Sequence, residues 1–188
     1  MKSERFRVLV ADDEPMLLDS YRHVIDDLAP QPDPLADPLA ARLADLEKQL
    51  FGAAVDPAPV PDVELSCVRQ GEAAVAMVQE GMRSGRPFGA AFLDVRMPPG
   101  ISGLEAARRI RAMDDLINIV IVSGFTGMDA REITRDVPPA DRLFFLAKPF
   151  QAREMQQYVL SFSARWVKDR QAASLDRGPA RTLRLQLG

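Results

Sequence analysis

Asp12-Asp13, Asp94, Ser123-Gly124 and Lys148 are widely separated in this 188-residue chain, yet their types belong together chemically. Carboxylates that gather repel one another. A pair ~4 Å apart costs about 4 kcal/mol at an effective dielectric of ~20. Either a raised pKa or a bound cation has to offset that cost. A small, oxygen-seeking divalent ion suits the set, because Mg2+ commonly takes one or two carboxylates and completes its shell with water and phosphate oxygens. Lys148 adds a movable positive charge suited to phosphate. Ser123 adds a hydroxyl, and Gly124 beside it keeps the approach open. No His or Cys pairs with Ser123, which argues against a hydrolytic triad. A carboxylate nucleophile, a metal, a lysine and a hydroxyl are the parts of an aspartyl-phosphate site.

These residues can meet only if the backbone delivers them to one place, and the sequence supplies the means. Each cluster directly follows a short apolar run: 7–11, 88–93, 117–122 and 143–147. Runs built of Val, Ile, Leu, Phe and Ala without alternation read as strands buried on both faces. A fifth strand is expected at 63–68, with Cys67 in the core. Helical patterns alternate with the strands. One starts at Pro15 with Leu17, Tyr21, Val24 and Leu28 as its stripe; others cover 71–82, 104–113, 128–136 and 151–171. In the second helix Ala74, Val75 and Val78 face inward, and in the last the stripe is Met155, Val159, Phe162 and Trp166. Strands alternating with helices predict a parallel sheet covered on both faces, with chemistry at the C-terminal edge of the strands.

Residues 29–62 interrupt this rhythm. Prolines 30, 32, 34 and 38 precede, and prolines 57, 59 and 61 follow, a segment whose Leu39, Leu43, Leu46 and Leu50 repeat at helical spacing. This reads as an extra helix inserted between the first helix and the second strand, held by stiff arms. Residues 1–171 are thus one domain, and 172–188 form a tail, flexible or adding as an edge strand.

Composition restricts the remaining choices. A net charge of -3 gives no electrostatic case for binding nucleic acid. The single Cys67 excludes an internal disulfide framework and suits a reducing compartment. No apolar run approaches the ~20 residues that span a bilayer, and the charged start is unlike a signal peptide. A cytoplasmic domain without membrane contact is the expectation. The lone His23 reads as a surface residue, and Arg108, Arg109 and Arg111 as a solvated helix face.

Asp12-Asp13-Glu14-Pro15, Asp94 with Met97-Pro98, Ser123-Gly124 and Lys148-Pro149-Phe150, in that order and each at a strand end, resemble the receiver domain of two-component response regulators. The resemblance covers residues 6 to about 168 apart from the insertion. It implies a flavodoxin-like, doubly wound five-stranded parallel sheet of order 2-1-3-4-5. It implies Asp94 as phosphoacceptor, taking phosphoryl from the phosphohistidine of a sensor histidine kinase or phosphotransfer protein. Mg2+, with Mn2+ as alternative, would be held by Asp12, Asp13, Asp94 and the backbone carbonyl of Arg96. Ser123, Gly124 and Lys148 would bind the phosphoryl group. Phe145 matches the family's aromatic switch position and, with Ser123, would pass the change to a downstream protein or output domain. A homodimer through the last face is left open. The loop 97–103 is one residue longer than the commonest form of the family, and the link from first helix to second strand is much longer.

Two other readings stand beside this one. An Asp-nucleophile phosphohydrolase would need a second acid two residues after the nucleophile, where this chain has Arg96. A phosphorylation-independent adaptor would dock through the inserted helix. The chain is therefore expected to be a receiver rather than a turnover enzyme, with slow self-hydrolysis of the acyl phosphate and bulky Phe125 hindering the attacking water.

Overall fold

A computed structural model describes residues 5–28, 62–124 and 130–176. The inserted helix, Phe125 and residues 177–188 lie outside the described residues. Five parallel strands form one sheet: β1 (Phe6–Ala11), β2 (Val63–Val68), β3 (Ala90–Asp94), β4 (Asn118–Ser123) and β5 (Leu143–Ala147), in the order β2-β1-β3-β4-β5. The helices are α1 (Pro15–Asp26), α2 (Gly71–Arg83), α3 (Gly103–Met113), α4 (Ala130–Asp136) and α5 (Ala152–Asp176). α5 extends five residues beyond the expected end, so the first part of the expected tail is helical. A short 3-10 turn, Ala140–Arg142, leads into β5.

The reason these strands pair in parallel is their double-sided apolarity. Every residue of β3 and β4 is buried. One face of the sheet buries Val8, Val10, Phe92 and Val120 against α1 and α5; the other buries Leu9, Leu93, Ile119 and Ile121 against α2 and α3. A strand sandwiched this way has no polar face to offer water. β2, at the edge, is half-buried throughout, so Cys67 is only partly covered rather than a full core residue. Its thiol pKa is nonetheless raised, chiefly by burial.

The α5 stripe of Met155, Val159, Phe162 and Trp166 is buried as expected. The α1 stripe is broader than expected: Leu18 and Ile25 are buried with Tyr21, Val24 and Leu28, while Leu17 is only partly covered. In α2 the inward residues are Gly71, Ala74, Val78 and Gly81, with Val75 at the margin. Arg111 corrects the expectation of a solvated α3 face. Its guanidinium is buried and donates to the carbonyls of Asp114, Asp115, Ile117 and Arg142, tying the links around β4 and β5 together. Burial holds its pKa below the ordinary arginine value. Arg108 and Arg109 remain exposed and pair with Asp136 and Glu105.

Candidate functional site

Register decides which residues meet. Ala11 is level with Leu93, Asp94 with Val122, and Ser123 with Ala147. The residues next along the chain, Asp12 and Lys148, therefore emerge at the same edge as Asp94 and Ser123. The ladder continues just past the strands: Asp12 N donates to the Val68 carbonyl at 3.1 Å and Lys148 N to the Ser123 carbonyl at 2.8 Å. The sheet itself thus aims these side chains.

Lys148 sits between two acids. Its Nζ lies 2.7 Å from Asp12 Oδ2 and 2.9 Å from Asp94 Oδ1, with Glu14 Oε1 farther away at 3.8 Å. The other oxygens of the two acids turn their own loops. Asp94 Oδ2 accepts the Arg96 backbone N–H at 3.0 Å, and Asp12 Oδ1 accepts that of Glu14 at 3.1 Å. Asp12 is fully buried, and burial pushes its carboxyl above the usual carboxylate value against the pull of Lys148. Burial works to depress the Lys148 ammonium, but its hydrogen bonds to Asp12 and Asp94 outweigh this and hold it above the ordinary lysine value. Burial, then the charges of Asp12 and Asp94, drive the Tyr21 phenol far upward as well, so it stays protonated.

The set fits a hard cation. One carboxylate oxygen from each of Asp12, Asp13 and Asp94 lies within 4.8 Å of the others. Asp12 Oδ2 is buried and, among the described residues, has only the ammonium contact. One ammonium facing three acids leaves negative charge that a divalent ion would neutralise. Asp13, Asp94, Ser123, Gly124 and Lys148 line a crevice of about 890 Å³ together with the loop that follows β3.

That loop is shaped by Gly103. A Cβ there would lie 2.0 Å from the carbonyl oxygen of Asp94, so α3 can begin directly against the end of β3 only with glycine at this point. Ser102 caps the helix by accepting the Glu105 N–H at 3.2 Å. Phe145 is half-covered in β5, packed against the α2–α3 side of the core, and its carbonyl accepts the Tyr158 hydroxyl at 3.1 Å. Arg96 is exposed at the lip of the crevice, and His23 is exposed on α1.

The profile of the response regulator receiver domain matches residues 60–160. The chain belongs to the response regulator receiver family. The profile match begins at residue 60, at the end of the insertion, and so leaves out β1, yet the fold puts Asp12 of this receiver domain against Asp94 and Lys148. No curated protein matches the sequence. Solved structures with the same fold include a receiver protein from Sinorhizobium medicae, 21% identical, with 85% of this chain and 94% of that one covered at a TM-score of 0.55. A CheY-like receiver from Methanospirillum hungatei is 13% identical, covering 88% and 98% at a TM-score of 0.57. A response regulator from Thermotoga maritima, solved in complex with Mg2+-BeF, is 20% identical, covering 84% and 98% at a TM-score of 0.51. Among the described residues, no helix of this receiver is long and apolar enough to cross a membrane.

Glu14, part of the Asp12-Asp13-Glu14-Pro15 motif but given no role there, faces Lys148. Two residues near the site carried no signal in the sequence: Arg69 donates to the backbone carbonyl of Asp13 at 3.1 Å, and Glu72 accepts the backbone N–H of Ile101 at 2.9 Å. Their only hint is position, just after β2.

Proposed function

We propose that this receiver takes a phosphoryl group from the phosphohistidine of a kinase or phosphotransfer protein onto Asp94, with Mg2+ held by Asp12, Asp13, Asp94 and the Arg96 carbonyl. The observation that carries the proposal is the Lys148 ammonium shared between Asp12 and Asp94. The Thermotoga maritima regulator of the same fold, solved in complex with Mg2+-BeF, supports a metal with a phosphoryl-like group on a receiver. When bound, Mg2+ would neutralise charge on the carboxylates and on the entering phosphoryl oxygens.

The remaining work falls to the chain. An Asp94 carboxylate oxygen attacks phosphorus; a P–O bond forms as the donor's P–N bond breaks, leaving the electron pair on the imidazole nitrogen. Lys148 gives up Asp94 Oδ1 for a phosphoryl oxygen while Asp12 keeps hold of it. The Ser123 hydroxyl, at the level of Ala147 on the crevice wall, donates to a second oxygen. Its inward movement lets Phe145 repack, and the surface formed by α4, β5 and α5 becomes the binding face for a downstream protein or output domain. Phe145 has no hydroxyl, so ring packing alone carries the switch. Hydrolysis of the acyl phosphate is slow, so the chain acts as a signalling receiver and not as a turnover enzyme, and its place of action is the cytoplasm. The phosphohydrolase reading has no acid where it needs one, since Arg96 occupies that place.

Incubating the protein with Mg2+ and acetyl phosphate tests this. One phosphoryl group per chain, absent in Asp94→Asn, is expected. Fast consumption of acetyl phosphate without labelling would favour a phosphohydrolase, and no response would leave the adaptor reading.

A further inference from the structure

The crevice has two loops for walls: the one after β1, with Asp13, and the one after β3, with Arg96 and Ile101. Among the described residues, no hydrogen bond joins one loop directly to the other. Both are held by a third stretch, the junction of the turn after β2 with the first turn of α2. Arg69 donates to the Asp13 carbonyl, and Glu72 accepts the Ile101 N–H. Gly71, between them, packs beneath Ile101 so tightly that a Cβ would sit 2.8 Å from its carbonyl oxygen. Glu72 Oε2 also rests on Gly100, where a Cβ would come within 2.3 Å of it. Within the β3–α3 loop, Gly100 N turns back to Met97 and Gly103 N to Val95, and Val95 N is held by β4 through Val122, while the Ile101 N–H reaches out to Glu72.

We propose that the β2–α2 junction is a brace, with Arg69 in its turn and Glu72 in the first turn of α2 as positioning residues that fix the gap between the two loops and thereby the affinity for Mg2+ and the lifetime of the phosphoryl group. Neither residue reaches the reacting atoms. Glu72 acts through the backbone on which Arg96 offers its carbonyl, and Arg69 through the backbone of Asp13. The phosphoryl lifetime rests on the receiver reading above; the loop geometry does not.

The test uses the full chain with three measurements: hydrogen exchange at the Ile101 amide without metal, Mg2+ affinity by calorimetry, and the half-life of the acetyl phosphate-derived label. Glu72→Ala should speed Ile101 exchange and weaken Mg2+ binding, each about three- to tenfold, the scale of one lost hydrogen bond. It should also shorten the label's half-life while leaving the urea midpoint near the wild-type value. Glu72→Gln retains the accepting oxygen and should restore all three readings. Gly100→Ala displaces the Glu72 carboxylate and should reproduce Glu72→Ala without altering Glu72. Arg69→Ala discriminates most sharply. A guanidinium acting only as a charge beside three acids would repel Mg2+, so its removal would tighten binding, whereas loss of a brace loosens it. Tighter Mg2+ binding in Arg69→Ala, or unchanged Ile101 exchange in Glu72→Ala, overturns the proposal. If the wild type takes no phosphoryl group at all, the receiver mechanism fails, and exchange and Mg2+ affinity still decide the brace.

Discussion

Gly103→Ala sets two ordinary effects against each other and asks which wins. Alanine is the better helix former, by up to ~1 kcal/mol in a helix interior. At the first residue of α3 that gain is available in full or in part. Against it stands the added Cβ, 2.0 Å from the Asp94 carbonyl oxygen and 2.8 Å from its carbonyl carbon. Both obstacles are backbone, so no side chain can swing aside. The end of β3 is also pinned, since Val95 N bonds to the Val122 carbonyl and Gly103 N to the Val95 carbonyl. Relief therefore requires α3 to slide or the Asp94 peptide to rotate. Forced overpacking of this kind costs about 1–3 kcal/mol, occasionally more. The clash should win, leaving a net loss of roughly 1–2 kcal/mol. With a urea slope of about 1–3 kcal/mol/M, the midpoint should fall by on the order of 0.5–1 M. Buried Trp166 provides the fluorescence signal. Mg2+ affinity should fall as well, because the displaced peptide belongs to Asp94. Gly124→Ala is the control: its Cβ would meet only Lys148 Cβ at 3.9 Å, an ordinary contact, so the midpoint should stay within about 0.5 M of the wild type. A Gly103→Ala midpoint equal to or above the wild-type value would refute the reasoning.

Further outcomes follow from the same structure. Lys148→Ala strands the buried Asp12 carboxylate and should destabilise the metal-free protein by roughly 2–4 kcal/mol, with Mg2+ recovering part of the loss; equal urea midpoints for variant and wild type in EDTA would contradict this. Arg111→Ala withdraws the donor from four carbonyls and should lower stability by about 2–4 kcal/mol in the same assay, while Arg109→Ala on the exposed face changes it by under about 0.5 kcal/mol. Only the thiolate of a cysteine is alkylated, and burial raises the Cys67 pKa, so less thiolate is present at any pH below that value. Iodoacetamide at pH ~8 should label the folded chain roughly tenfold more slowly than the urea-unfolded chain, and equal rates would mean that β2 is open.

The sheet was legible because β3 and β4 advertise burial on both faces, and parallel order follows once helices must cover both sides. The positions of Asp12, Asp94, Ser123 and Lys148 were legible for the same reason: each ends an apolar run, and a parallel sheet gathers such ends at one edge. Arg111 was not. Its neighbours Arg108 and Arg109 are solvated, and what turns Arg111 inward is a set of carbonyls as distant in sequence as Arg142. The α1 stripe was read too narrowly because a helix lying across a sheet buries more than a single i, i+4, i+7 row. Ser102-Gly103-Leu104-Glu105 carries the Ser-x-x-Glu pattern of a helix start; only the serine half of it forms a hydrogen bond here. Arg69 and Glu72 gave no signal, since a charge at the start of a helix that braces a loop some thirty positions away looks like any other exposed charge.

The strand order has a practical corollary. α1 leaves the chemical edge and runs back toward the opposite end of the sheet, where the Phe6 N–H bonds to the Asp62 carbonyl and β2 begins. Leu28 and Asp62 therefore both stand at the pole of the sheet remote from Asp94. A probe attached at exposed Asp62 would sit a full strand away from the chemistry.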